Sequence, residues 1–470
     1  MYIILYMDSL PSDLLYFSRS IAGYSKNVVK LNTQNTSTLA SSGATQLRLS
    51  LPTNTIAALQ SLSMHATMST TGIAAVAADS EVYALIPRSG LEAVLDRVSW
   101  SLGGVSTDSG PAPYNVIAMM KKSLECSVSK NMSDDGMLNA SNIVGIDETD
   151  AWAVSNRGQR RDLVLNHFLG FTEAHPNYFD LSLVPELILT LQVSSAAEML
   201  PVQFKGSGLG AVPTVVNTAF GTSYYGSGCS YSLDNIYFTM QVISIGSGMF
   251  NELMARVLSE RGSIDVPYKS YQLISQSQSS PAGSLRGSVS TMSLDMVYAV
   301  QRNSAETAQA VPSSVYGGAA YTFQQPPIIA SGNYGFGYTQ AAHVFTSLGV
   351  STNQFTINNS PFPLWQATPT DTANLMVVSQ GRTYAKVAGG LVGSLATWLY
   401  HSYAFCFRLN HSSDLTLVSG LNLSSINAQL SYQAISDGVA LNQSARQVSI
   451  VSESTSILRI GNQRAVAIVA

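Results

Sequence analysis

The sequence is poor in charge. Asp, Glu, Lys and Arg make up only 11% of its 470 residues, against roughly 25% in ordinary soluble chains. Its surface must therefore be built mainly from uncharged polar residues. Together with a positive mean hydropathy of +0.15, this suggests that much of the surface is covered by other protein copies rather than by water. Cysteine is scarce as well. Cys126, Cys229 and Cys406 are far apart and form no C-x-x-C pair, which argues against a disulfide framework or a thiolate zinc site and fits a reducing, intracellular place of synthesis. No hydrophobic run reaches the roughly 18 residues needed to span a bilayer; VAGGLVGSLATWLY, 387–400, stops short and carries three glycines. The opening MYIILYM has no basic flank and is interrupted by Asp8, so no signal peptide is expected. The net charge is −4, without the Lys/Arg-dense stripe that neutralising nucleic-acid phosphates would require. Arg157, Arg160 and Arg161 cluster in SNRGQRR, and read as solvated surface or an intersubunit contact.

Catalytic patterns are also missing. The six histidines, His65, His167, His175, His343, His401 and His411, include no H-E-x-x-H and no pair four apart, so neither metal nor cofactor is expected. The glycine runs GSGLG (206–210) and GGLVG (389–393) match neither a dinucleotide nor a phosphate-binding loop, and no G-x-S-x-G elbow occurs. Acidic residues gather in SDDG (133–136) and DETD (147–150), in a stretch that reads as a solvated loop rather than a calcium or glycosidase site. Trp100, Trp152, Trp365 and Trp398 are too scattered for a sugar-stacking motif, and are expected in core or interface. Sequons such as those at Asn35, Asn131 and Asn410 carry little weight without a secretion signal.

What is present is β texture. Short strand-like runs separated by Gly, Ser, Asn and Pro predict an all-β sandwich or barrel class. Strands are expected over 45–52, 97–104, 181–193 and 416–423, with two or three more in the tail. Helical periodicity appears in SGMFNELMARVLSERG, where Phe250, Leu253, Met254, Val257 and Leu258 form one stripe; Ser247 would cap its start and Gly262 its end. A helix is therefore expected over 248–261; two others are expected in APYNVIAMMKKSLEC, over 113–125, and in TQAAHVFTSLG, over 339–348. The loop after the first of these makes the best boundary, dividing the chain into an N-terminal arm (1–28), a first domain (29–262) and a second (263–470).

An echo lies on either side of that boundary. SLDNIY begins at Ser232 and SLDMVY at Ser293. In the first, Ile236, Phe238, Met240 and Val242 share a face; in the second, Leu294, Met296, Tyr298 and Val300 do. The two segments to either side are each far longer than the spacing of the echo, so it is not a repeat unit.

In their order, these segments resemble the double jelly-roll major capsid proteins of double-stranded DNA viruses. The likeness is to the polinton-like virus and virophage type within the tectivirus–adenovirus lineage. LRLSLPTNTIAALQSLSMHATMSTTG (47–72) looks like that family's opening strand pair, with Leu51-Pro52 closing the first strand. Ile86-Pro87, Arg97-Val98 and Gly103-Gly104 follow in the family's order, and Tyr114-Asn115 opens a helix. FDLSLVPELILTLQV and IDVPYKSYQLISQSQ resemble the end of the first roll and the start of the second. The likeness runs over about 45–300.

It implies two consecutive eight-stranded jelly rolls with a few short helices in loops, and a structural protein rather than an enzyme. Three chains would form a pseudo-hexameric capsomer tiling an icosahedral virion shell. The partners would be two further copies, neighbouring capsomers, minor or penton capsid proteins and an internal membrane. The N-terminal SDLLYFSRSIAGYSK reads as a short helix whose Leu14, Leu15, Phe17 and Ile21 form an interface at the capsomer base. The stretches 127–160 and 195–230 are expected as external loops. Two alternatives stay open: a secreted β-sandwich carbohydrate-binding protein or glycosidase, and a viral spike or fibre subunit.

Overall fold

A computed structural model describes residues 24–40, 46–53, 55–71, 82–84, 91–107, 113–125, 161–166, 168–194, 202–204, 230–245, 256–278, 283–303, 337–339, 345, 347, 350–380, 403–411, 418–424, 428–436, 446–461 and 464–469. In the N-terminal half, one antiparallel sheet has seven strands: β1 (Tyr24–Asn32), β2 (Leu39–Ala40), β4 (Ile56–Ala58), β5 (Ser63–Thr71), β9 (Arg161–Leu165), β10 (Tyr178–Asp180) and β13 (Ser230–Ile245). The second sheet has four: β3 (Gln46–Ser50), β7 (Leu95–Leu102), β8 (Val105–Ser106) and β11 (Leu187–Val193).

The C-terminal half repeats the plan. One sheet holds β14 (Ser263–Gln278), β16 (Leu294–Asn303), β20 (Phe405–Arg408) and β22 (Arg446–Gly461), with β23 (Val466–Val469) added alongside β22. The other holds β15 (Gly283–Val289), β18 (Val350–Ile357), β19 (Ser360–Ala367) and β21 (Ala428–Ser436). With β1/β2 taken as the first strand and β4/β5 as the third, the eight principal strands of each half cross their sheets in the same order. One sheet runs first-eighth-third-sixth and the other second-seventh-fourth-fifth. That interleaving of two Greek keys is a jelly roll. A small sheet of β6 (Val82–Ala84), β12 (Val202–Phe204) and β17 (Gly337–Thr339) joins strands from both halves.

Local chemistry shows why the halves match. The hairpin between fourth and fifth strands turns on two positive-φ residues in each half, Gly103-Gly104 in the first and Asn358-Asn359 in the second. A two-residue hairpin whose twist suits the flanking strands needs such a pair, and Gly and Asn tolerate it best. Gly103 is doubly constrained, since a Cβ there would lie 2.8 Å from the Pro185 ring. Beyond each hairpin comes a twelve-residue helix, α1 (Tyr114–Glu125) and α2 (Pro369–Gln380). α2 opens on Thr368, whose Oγ1 accepts from Asp371 N at 3.3 Å while the Asp371 carboxylate accepts from Thr368 N at 3.1 Å, a reciprocal cap. The contact holds the Asp371 pKa down.

Alternation builds the cores. In β11, Leu187, Leu189, Leu191 and Val193 are buried and the residues between them are not, so one face lines the first roll around Trp100, Phe168, Phe171 and Phe238. β16 differs: it is buried on both faces, with Val297 and Ala299 in the core between its own sheets and Met296, Tyr298 and Val300 in a separate cluster with α1.

The SLD segments each carry a register shift. In β13 the shift falls between Asp234 and Tyr237, and Asn235 has φ +53. One extra residue flips the faces, so Tyr231 and Leu233 point inward before it and Ile236, Phe238 and Met240 after it. In β16 the shift falls between Leu294 and Met296. Leu294 therefore joins the inner core, while Met296, Tyr298 and Val300 face the other way, against the expectation of four residues on one face. The first segment lies on the eighth strand of its roll and the second on the third of the next, so their likeness is convergent.

The helix expected over 113–125 is α1. Of the one expected over 248–261, residues 256–261 are described and helical; Gly262 closes it with φ +75, its N–H donating to Leu258 O at 2.9 Å. The helix expected over 339–348 is not formed at its described positions, because Thr339 ends β17 and Phe345 O accepts from Tyr403 N at 3.0 Å. The strand expected over 181–193 starts only at Leu187, after a turn closed by Asp180. Over 418–424 only Leu421 bridges, to Leu294. Gly420 lies hard against Ser293 and Asp295 there, its N–H donating to Ser293 Oγ at 2.9 Å.

Candidate functional site at the junction of the two rolls

The chemistry-bearing side chains collect where the rolls meet. α1 belongs to the first roll by chain order, and Tyr114 and Ala118 pack into that roll's core. Its other apolar residues, Val116, Ile117, Met119, Met120 and Leu124, lie against Met296, Tyr298, Val300 and Val451 on the outward face of the second roll's β14-β22-β16-β20 sheet. Lys121 extends from this helix to Glu453 of β22, Nζ to Oε2 at 2.8 Å, with both side chains under a tenth exposed. Lys269 of β14 reaches Glu453 Oε1 at 3.4 Å and Asp295 Oδ2 at 2.6 Å. Tyr298 donates to Glu453 Oε2 at 2.9 Å, Ser293 to Asp295 Oδ1 at 2.7 Å, and Thr455 to Asp295 Oδ2 at 2.5 Å.

Two ammonium groups and two carboxylates thus balance inside a buried interface. Burial alone would raise the Glu453 pKa. The charges of Lys121 and Lys269, with hydrogen bonds from Lys121 and Tyr298, overcome that and hold it at about 2. Against a well-packed apolar group of the same size such a cluster adds little net stability, because desolvation offsets most of the Coulomb gain, whereas removing one partner leaves a buried charge uncompensated. Further bonds cross the junction: Tyr268 Oη donates to Thr107 O at 3.0 Å, Tyr271 Oη to Glu173 Oε2 at 3.0 Å, and His175 N to Pro267 O at 2.9 Å.

Leu14, Leu15, Phe17 and Ile21 lie outside the described residues, as do His167, His343, His401, both acidic runs, Trp152, Trp398, Cys126 and Cys229. Most of both expected external loops lies outside them too. Trp100 is in the first core, Cys406 is buried, and Trp365 is exposed. His65 is half-buried on a sheet surface, stacked on Tyr237 with ring centroids 4.6 Å apart. Among the described residues no group of three or more His, Cys, Asp or Glu could hold a metal, and no helix is long and apolar enough to cross a membrane.

The buried ion cluster escaped the sequence reasoning, since Lys121 and Glu453 are 332 residues apart. One signal was available: Lys121 sits four residues after Ile117, and so on the same face of the helix.

Two complete jelly rolls in tandem define the double jelly-roll class. Solved structures of that class match along nearly the whole chain. The crystal structure of PBCV-1 VP54 fitted into a reconstruction of the virophage Sputnik aligns with a TM-score of 0.59 at 11% identity, over 98% of this chain and 100% of that one. The Faustovirus major capsid protein aligns at 0.58 and 10%, over 98% and 94%, and a chain of the Sputnik virophage structure at 0.54 and 12%, over 98% and 92%. No family profile and no curated protein matches the sequence. The chain thus has the fold of double jelly-roll major capsid proteins.

Proposed function

We propose that this chain is a major capsid protein, a structural subunit that trimerises into pseudo-hexameric capsomers tiling the icosahedral shell of a double-stranded DNA virus. The observation that carries the proposal is the tandem of two like rolls packed together through α1 and its buried ions. Three two-roll chains supply six similar units to a ring. The likeness in fold to capsid proteins and the low surface charge support it. The role is structural rather than catalytic.

In this proposal residues 1–28 serve as an arm, 29–262 as the first roll and 263–470 as the second. β1 is paired with β13 from Tyr24, so residues 24–28 of the arm belong to the first roll's sheet. Leu14, Leu15, Phe17 and Ile21 would contact neighbouring capsomers, a minor or penton protein or an underlying membrane, within the virion capsid.

Light scattering on the purified chain tests the proposal, with negative-stain images of the same sample. A mass three times the 50.0 kDa of one chain and hexagonal outlines are expected. A single-chain mass with glycan binding would instead favour the carbohydrate-binding alternative.

A further inference from the structure

The junction inside the chain is a head-to-tail contact. The helix following the fifth strand of one roll lies on the outward face of the first-eighth-third-sixth sheet of the next. Each roll has both parts, so a chain of two rolls uses one helix and one sheet and leaves the other pair over. The leftover helix is α2 and the leftover sheet is the seven-stranded one.

Both carry the marks of an unfilled contact. α2 carries Leu375, Met376 and Val378 within one turn, apolar residues that do not share a single face of the helix. Thr372 is buried against Asn353 of its own roll and Met376 lies in the cluster that also holds α1, but Thr370, Asn374 and Val378 form an exposed stripe, Val378 at 67%. On α1, by contrast, every residue from Tyr114 to Lys121 is buried. Beside α2, Leu364 and Trp365 of β19 are 86% and 54% exposed. On the seven-stranded sheet, His65, Thr67, Tyr237 and Thr239 occupy the outward positions corresponding to the buried Met296, Tyr298, Val300 and Val451, and none of them is buried. Val28, across from Gln241 on the same side, is 65% exposed. Lys26 and Lys30 flank it, and Asp371 is the only charged residue of α2.

We infer that the exposed face of α2, with Leu364 and Trp365, docks on the outward face of the seven-stranded sheet of a second copy of this chain, repeating between chains the contact α1 makes within one. A heterologous contact of this kind closes into a ring when its rotation allows. The inference rests on the assembly proposed above and assigns its surfaces.

The test uses Val378→Asp, which spoils the helix side, and Val28→Asp, which spoils the sheet side; both positions are exposed, so the folded chain should tolerate them. By light scattering each variant alone is expected at the mass of one chain with an unchanged melting curve. An equimolar mixture is expected at two chains and no more, because one helix–sheet pair is intact and the other doubly broken. Asn374→Arg, one turn earlier on the same stripe, repeats the helix arm should Val378→Asp melt early. A wild-type chain at single-chain mass overturns both this docking and the proposed assembly. An assembled wild type whose variants also assemble, or whose mixture stays at one chain, overturns the docking alone.

Discussion

Replacing Glu453 by Gln removes the shared partner of two buried ammonium groups. Lys121 would be left facing an amide and the Tyr298 hydroxyl, while Lys269 would keep Asp295. Two routes give the magnitude. Breaking one side of a buried ion pair costs about 3–5 kcal/mol. Independently, a carboxyl lowered from 4.5 to about 2 by folding contributes about 3 kcal/mol at neutral pH through linkage. The sign follows from the direction of the shift. The folded-state pKa is depressed, so this contribution is complete above about pH 4.5 and disappears as pH falls towards about 2. Urea unfolding of wild type and Glu453→Gln at equal protein concentration, at pH 7 and again near pH 2, measures it. The expected gap is about 3 kcal/mol at pH 7 and close to none at the acid end. The double variant Lys121→Met/Glu453→Leu should recover most of the loss, since a well-packed apolar pair can replace a buried ionic one. A gap below about 0.5 kcal/mol at pH 7, the range of ordinary surface changes, or one that persists unchanged in acid, would refute the account of the junction.

Other outcomes are equally open to measurement. Trp100→Ala, which empties the centre of the first core, should cost about 3–5 kcal/mol in the same assay. Gly103→Ala should cost more than Gly104→Ala: both need a positive φ, but only at Gly103 does a Cβ meet Pro185, and thermal melts of the two variants give the order. Removing residues 1–23 should leave the solution mass of the oligomer unchanged while abolishing closed shells in electron micrographs, because the proposed contacts of the arm lie in that segment and, among the described residues, the first paired strand begins at Tyr24.

Local features of this fold could be read from the sequence, and distant pairings could not. Alternation located β11 and β13, and the stripe of Val257 and Leu258 located the helical residues 256–261, because a period of two or of 3.6 is written into neighbouring residues. Asn235 was silent: an Asn inside an apolar alternation looks like an ordinary outward residue, yet it sits in the bulge that reverses the strand's faces. TQAAHVFTSLG has helical spacing, but Phe345 is claimed by Tyr403, a tertiary contact that overrides local propensity. In TLVSGLNL the alternation is real, and the close approach of Gly420 to Ser293 holds the backbone away from regular pairing. The ion cluster was hidden for the same reason: its lysines and acids come from α1, β14, β16 and β22, and only the fold brings them together.

The claim at the centre of this account is that the chain builds a shell from rings of like rolls. A cryo-EM reconstruction of particles assembled from the purified chain tests it most directly. The account predicts a closed lattice of hexagonal capsomers, each made of three chains and showing six jelly rolls in a ring, with α2 of each chain against the seven-stranded sheet of the next. Isolated monomers, two-fold dimers, or filaments in place of rings would contradict it.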